Sequence, residues 1–175
     1  MTLLAEIAEH LRSDSVRFAA IGAAALSVHG VARATADIDL MTVDRRVLVD
    51  AFWRGLAAEA DVRVGDYDDP LAGVVRLRSK RDVRPVDVVV GKYRFIAKVI
   101  ECAERGTVGG VEVPVATLVD LVLLKLFAGG PQDAWDIEQA TAIGGARLVD
   151  EVDRRVGDLP EEARQLWSRI RSRRS

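Results

Sequence analysis

The sequence predicts an α+β fold: a small mixed β-sheet with flanking helices, followed by a helical C-terminal part. Two periodicities predict it. Over roughly the first 115 residues, short apolar runs bounded by glycine, proline and acidic turns read as strands, and segments with apolar residues three and four apart read as helices between them. From Thr117 onward only the helical spacing persists. A chain of 175 residues with 49% hydrophobic content can bury one sizeable core. No repeat or low-complexity linker divides it, so residues 1–175 read as a single domain with a core over about 1–115 and a helical subdomain over about 116–175.

Leu3, Leu4, Ile7, Ala8 and Leu11 recur at helical spacing and predict an opening helix that ends near Ser13. Val16 to Ile21 is an apolar run suited to a buried strand. Gly22 breaks it, and Ala23 to Val28 favours a short helix ending at His29-Gly30. A strand, a glycine and a helix start present free backbone N–H groups, which attract phosphate. Ala36 to Thr42 is the next strand. Asp44 is placed to cap a helix over Arg45 to Glu59, with Val47, Leu48, Ala51, Phe52 and Leu56 as its apolar stripe. A strand over Asp61 to Gly65 precedes the acidic turn Asp66-Tyr67-Asp68-Asp69-Pro70. Gly73 to Arg78 and Val83 to Val90 read as two further strands. Tyr93 to Ala103 follows as a helix, then a hairpin turning at Gly109-Gly110. Thr117 with Asp120 resembles a capping box for the helix Leu118 to Phe127. Gly129-Gly130-Pro131 stops that helix. Three more helices follow, over Gln132 to Ile143, Arg147 to Val156 and Glu161 to Arg171.

Composition narrows the chemistry. A net charge of −2 gives no global signal for nucleic-acid binding, although Arg76, Arg78, Lys80, Arg81 and Arg84 cluster, and the C-terminus beyond Arg169 is basic. The single cysteine, Cys102, excludes an internal disulfide framework and reads as a small core residue in a reducing compartment. No apolar run reaches membrane-spanning length, so a soluble cytoplasmic protein with no membrane partner is expected. His10 and His29 are the only histidines, which excludes a histidine-rich zinc site, and no phosphate-loop or dinucleotide-binding motif is present. Acidic residues remain to do chemistry.

Asp37 and Asp39 stand two apart on one predicted strand, so their carboxylates share a face while Ile38 and Leu40 point into the core. Such a pair calls for a divalent metal or lies at a solvated strand end. Asp87 sits among Val86, Val88, Val89 and Val90, where a lone buried carboxylate would cost several kcal/mol. Its partner is either an arginine such as Arg33 or a metal shared with Asp37 and Asp39 across strands about 4.8 Å apart. Lys125, on an otherwise apolar helix, reads as snorkelling to solvent, and Asp133 is a candidate cap for its own helix.

The order Gly22-Ala23, helix, Asp37-Ile38-Asp39-Leu40 and Asp87 on a later strand resembles the polymerase-β-like nucleotidyltransferase superfamily. The run Arg33 to Leu40, Lys125 and the Asp133-Ala134-Trp135-Asp136 segment is similar to AbiEii-type nucleotidyltransferase toxins and their relatives. The resemblance implies an enzyme that moves a nucleoside monophosphate from an NTP to a hydroxyl on RNA (tRNA included) or protein. It implies Mg²⁺ or Mn²⁺ held by Asp37, Asp39 and Asp87, the same residues being catalytic. Gly22, Ala23, Arg33, Thr35, Lys125, Asp133 and Asp136 are its implied nucleotide-binding residues. It further implies a toxin role in a toxin–antitoxin or phage-defence system, with a cognate antitoxin as partner. Ala23 departs from the superfamily pattern, which often has glycine or serine there. Two alternatives keep the same acids: a non-catalytic nucleotidyltransferase-like binding module or antitoxin, and an adenylyltransferase acting on a small drug-type molecule.

Overall fold

In the computed structural model, which describes residues 1–32 and 35–172, helix α1 (Leu3–Ser13) starts at Thr2, whose hydroxyl accepts from Ala5 N–H. Strand β1 (Ala19–Ile21) runs straight into the two-turn helix α2 (Gly22–Val28). Strands β2 (Ile38–Thr42), β3 (Glu59–Val64), β4 (Leu71–Ser79) and β5 (Asp82–Gly91) follow, then helix α3 (Arg94–Glu101) and the hairpin β6 (Glu104–Val108) and β7 (Val111–Val115). Helices α4 (Leu118–Ala128), α5 (Pro131–Arg155) and α6 (Glu161–Ser172) complete the described chain.

The strands form one seven-stranded mixed sheet in the order β3-β4-β5-β2-β1-β7-β6. β2 and β5 are parallel, as are β1 and β7; the remaining pairs are antiparallel. Alternation along β2 and β5 sends Leu40, Val86, Val88 and Val90 into a buried face. The opposite face, at Asp39 and Asp87, is partly open. Among the described residues no helix is long and apolar enough to cross a membrane.

Two elements depart from expectation. The helix expected over Arg45 to Glu59 is replaced by two single 3₁₀ turns, Arg45–Leu48 and Asp50–Trp53, and residue 59 already belongs to β3. Val49 is extended between the turns. The indole of Trp53 donates to Val47 O at 2.7 Å and His10 Nε2 binds Phe52 O at 2.7 Å, so side chains take carbonyls that a helix would have used. Asp44 does cap the first turn, accepting from Arg46 N–H. Cys102, expected in the core, is exposed at the C-terminal end of α3, two residues before β6 begins.

The C-terminal helices follow the sequence closely. Thr117 accepts from Asp120 N–H at the start of α4. α5 contains a break at Gly145, whose φ of 61° and ψ of −157° lie in a region essentially restricted to glycine. The break divides α5 into the two helices that the spacing predicts. Trp167 is buried with its indole on Asp153, whereas Trp135 is half exposed.

Candidate active site

Gly22 is where β1 becomes α2, and two constraints act on it. Its φ of 69° is left-handed, and a Cβ at this position would fall on Asp39 Oδ2. The carboxylate of Asp39 is therefore seated against the glycine turn. Ala23, the next residue, adds no hydroxyl and leaves its carbonyl to Ser27 Oγ at 3.0 Å.

The sheet register brings the acids together. Asp39 and Asp87 are directly paired residues on the parallel strands β2 and β5. Asp37 lies one residue before β2, and Thr35 Oγ1 donates to its main-chain oxygen at 2.6 Å and approaches its Oδ1 at 3.4 Å. Thr35 thus orients Asp37. Burial first, then the charges of Asp37 and Asp87, raise the Asp39 pKa to about 6 against the opposing pull of Lys125 and Arg76. Burial also raises Asp87, with Arg76 pulling the other way and Asp37 adding to the rise. Asp87 Oδ1 is buried and accepts no hydrogen bond among the described residues.

The arginine beside Asp87 is Arg76. It stands on β4 directly opposite Asp87, with Nη1 3.5 Å from Asp87 Oδ2 and Nη2 3.3 Å from Asp37 Oδ2. Arg33, the partner expected from sequence, lies outside the described residues. Sequence reading had grouped Arg76 with a basic cluster and missed its place at the acids.

Lys125 does not snorkel to solvent. Its ammonium binds Asp133 Oδ1 at 2.6 Å and the fully buried Asp136 at 2.8 Å. Burial alone would lower its pKa; the hydrogen bonds and charges of the two aspartates outweigh that and raise it. Asp133 caps α5 as well, accepting from Gly130 N–H at 2.8 Å. The acidic turn 66–70 already contains a cation: Lys92 Nζ donates to the carbonyls of Asp66, Tyr67 and Asp69 at 2.6, 3.2 and 2.8 Å. His29 is structural, bonded through Nε2 to Ala116 O at 2.8 Å.

Two cavities flank the acids. One, of about 390 Å³, lies between the sheet (Ile21, Met41, Val89) and α4 (Leu121, Phe127), with Gly22 and Lys125 also in its lining. The other, of about 500 Å³, opens over β3 and β4 and is lined by Asp61, Arg63, Arg76, Arg78 and Asp87. Met41 and Val89 are the register pair next to Asp39 and Asp87 on the same face, so the apolar floor begins beside the carboxylates.

Three carboxylates form the hard-oxygen donor set that Mg²⁺ or Mn²⁺ takes. Asp87 Oδ1, which has no donor among the described residues, and Asp39, whose burial raises its pKa, are donors that such a cation fits. As the side chains stand, no group of three among the described residues is arranged around one metal position; the Arg76 guanidinium lies between Asp37 and Asp87.

The fold is that of nucleotidyltransferases. The chain is similar to ANT(2'')-Ia in complex with adenylyl-2''-tobramycin, at 16% identity and a TM-score of 0.57 over 99% of this chain and 97% of that one. It is also similar to an antigenic nucleotidyltransferase-like protein from Paracoccidioides brasiliensis, at 19% identity and a TM-score of 0.52 over 97% and 90%. For the lincomycin-bound lincosamide antibiotic adenylyltransferase LnuA the values are 14% and 0.50 over 80% and 95%. A model of the family described as "nucleotidyl transferase of unknown function (DUF2204)" matches residues 1–172, and the chain belongs to that family. No curated protein matches the sequence. These similarities show the nucleotidyltransferases as a class; the finer likeness to AbiEii-type toxins rests on the motif resemblance.

Proposed function

We propose that the protein transfers a nucleoside monophosphate from an NTP to a hydroxyl acceptor at Asp37, Asp39 and Asp87. The observation that carries this reading is the in-register Asp39–Asp87 pair, with Asp39 seated against Gly22 and a cavity on either side. The apolar cavity under α4 suits the nucleoside of the donor, with Gly22 and Ala23 at the turn toward which its phosphates point. Lys125, held by Asp133 and Asp136, puts an ammonium donor in the lining of that cavity. The cleft over β4 receives the acceptor, whose hydroxyl approaches Asp87.

Mg²⁺ or Mn²⁺ held by Asp37, Asp39 and Asp87 would supply neutralisation of phosphate charge and a more acidic acceptor hydroxyl. The chain's own groups do the rest. Asp87, its proton affinity raised by burial, is placed to take the hydroxyl proton as the acceptor oxygen bonds to the α-phosphorus. The bond from that phosphorus to the pyrophosphate oxygen breaks, and pyrophosphate leaves. Arg63, Arg76 and Arg78 line the acceptor cleft beside Asp61, Asp69 and Asp87, and the three guanidiniums give an acceptor carrying phosphate, such as RNA, groups to bind. A toxin role with an antitoxin partner rests on the motif resemblance alone.

A second reading is favoured by the nearly complete mutual coverage with ANT(2'')-Ia in complex with adenylyl-2''-tobramycin: transfer to a small hydroxylated compound, with Asp61 in the cleft meeting an amine. The test is label transfer from each α-³²P-NTP, with Mg²⁺ or Mn²⁺, to total RNA, to protein and to aminoglycosides. Label is expected on RNA with wild type and on nothing with Asp87→Ala. Equal labelling by the two proteins would show the assigned site to be wrong. Nucleotide binding with no labelling of any acceptor would support a non-catalytic module instead.

A further inference from the structure

The reading of the acids as a metal site leaves Arg76 unexplained, because its guanidinium occupies ground that a cation shared by Asp37 and Asp87 would need. The contacts are loose. Arg76 offers one nitrogen to each carboxylate, at 3.3 and 3.5 Å, and leaves Asp87 Oδ1 without a donor. A committed arginine in the same chain looks different: Arg46 grips both oxygens of Asp44 at 2.6 to 3.1 Å. Arg76 is also 36% exposed, and exposed pairs of this kind are weak.

A second seat for Arg76 lies on its other side. Successive strands put Asp39, Asp87, Arg76 and Asp61 in one register row across β2, β5, β4 and β3. Asp61 is opposite Arg76 on β3, lines the same cleft, and at present holds Arg63 at 3.1 Å. The cleft of about 500 Å³ between these groups gives the guanidinium room to turn without moving the backbone.

We propose that Arg76 is an exchangeable cation: it bridges Asp37 and Asp87 while the acids lack metal and turns toward Asp61 when a divalent ion enters. A guanidinium and a divalent ion a few ångströms apart repel strongly, so the two do not share the acids. Loading the acids then frees a guanidinium in the cleft where the acceptor binds, so metal entry and acceptor recognition are coupled through one side chain.

This rests on the metal reading of the acids, and the experiment separates the two. Mn²⁺ binding is measured by electron paramagnetic resonance without nucleotide for the full chain and for Arg76→Ala, Arg76→Gln, Asp61→Asn and Asp87→Asn. Both Arg76 variants are expected to bind Mn²⁺ at least tenfold more tightly than wild type. Asp61→Asn is expected to bind it several-fold more weakly, because the displaced guanidinium loses its second seat. If Asp87→Asn abolishes binding while both Arg76 variants bind no more tightly than wild type, the exchange is refuted and the metal site stands. Binding that survives Asp87→Asn overturns the metal reading and the exchange with it.

Discussion

Replacing Asp39 by asparagine should make the metal-free protein more stable while abolishing its chemistry. Asp39 is buried beside two other carboxylates, and its pKa rises from the ordinary 3.8 to about 6. The folded state therefore holds this proton more tightly than the unfolded chain does. Between about pH 4 and 6 the folded form binds more protons, so stability falls as pH rises through that window and levels off above it. At about 1.4 kcal/mol per pH unit, the ionised group costs on the order of 3 kcal/mol at pH 8. Asparagine keeps the shape and removes the charge, though its amide must find partners, so a gain of about 1–3 kcal/mol is expected. For a chain of this size that is about 3–10 °C in melting temperature. The assay is urea unfolding in EDTA at pH 8 and at pH 4. The gain should be present at pH 8 and absent at pH 4, where wild-type Asp39 is protonated too. A variant no more stable than wild type at pH 8, or a gain unchanged at pH 4, refutes the electrostatic account.

Two further substitutions probe the frame of the site. Lys125→Met leaves Asp133 and the fully buried Asp136 without their cation and should cost about 3–5 kcal/mol in urea unfolding at pH 7; a cost below 1 kcal/mol would mean the triad is not a buried ion-pair unit. Gly22→Ala should cost at least about 1–2 kcal/mol for the left-handed backbone alone, plus the overlap with Asp39. In an Asp39→Ala background the overlap disappears, so the cost of Gly22→Ala should shrink, and strict additivity in the double-mutant cycle would remove the contact from the argument.

Much of this arrangement is legible in the sequence because it depends on local alternation. Asp37-Ile38-Asp39-Leu40 and Val86-Asp87-Val88 state which residues face which side, and Gly22 marks the turn between strand and helix. Thr117, Gly129 and Pro131 mark the ends of α4 and the start of α5 for equally local reasons. Arg76 was not legible, and the cause is register. A tight turn at Lys80-Arg81 pairs Ser79 with Asp82, and an unbroken ladder from there would put Val74 opposite Asp87. An irregularity between Leu77 and Ser79 shifts the pairing by two residues and puts Arg76 there instead. A two-residue shift preserves the faces and changes the neighbour, so the alternation pattern carries no trace of it. The Arg45–Glu59 segment differs: its apolar stripe has helical spacing, but the segment's own Trp53 indole takes the Val47 carbonyl and His10, from α1, takes that of Phe52. The His10 contact is tertiary, and a local pattern does not contain it.

The way charge is answered in different parts of the chain argues that the acids await something. In the C-terminal helices, acids taken out of water meet a cation of the chain: Lys125 serves Asp133 and Asp136, and Arg155 serves Asp120. At the sheet, three carboxylates crowd one end of β2 and β5, and among the described residues one half-exposed guanidinium touches two of them. The remaining excess of negative charge adds to burial in raising Asp39. Lys125, which binds both Asp133 and Asp136, shows that the chain has the means to answer a buried acid. Among the described residues no lysine or arginine is within ion-pair distance of Asp39, and its seat against a glycine whose missing side chain makes room for it is the arrangement expected where positive charge arrives with the substrates.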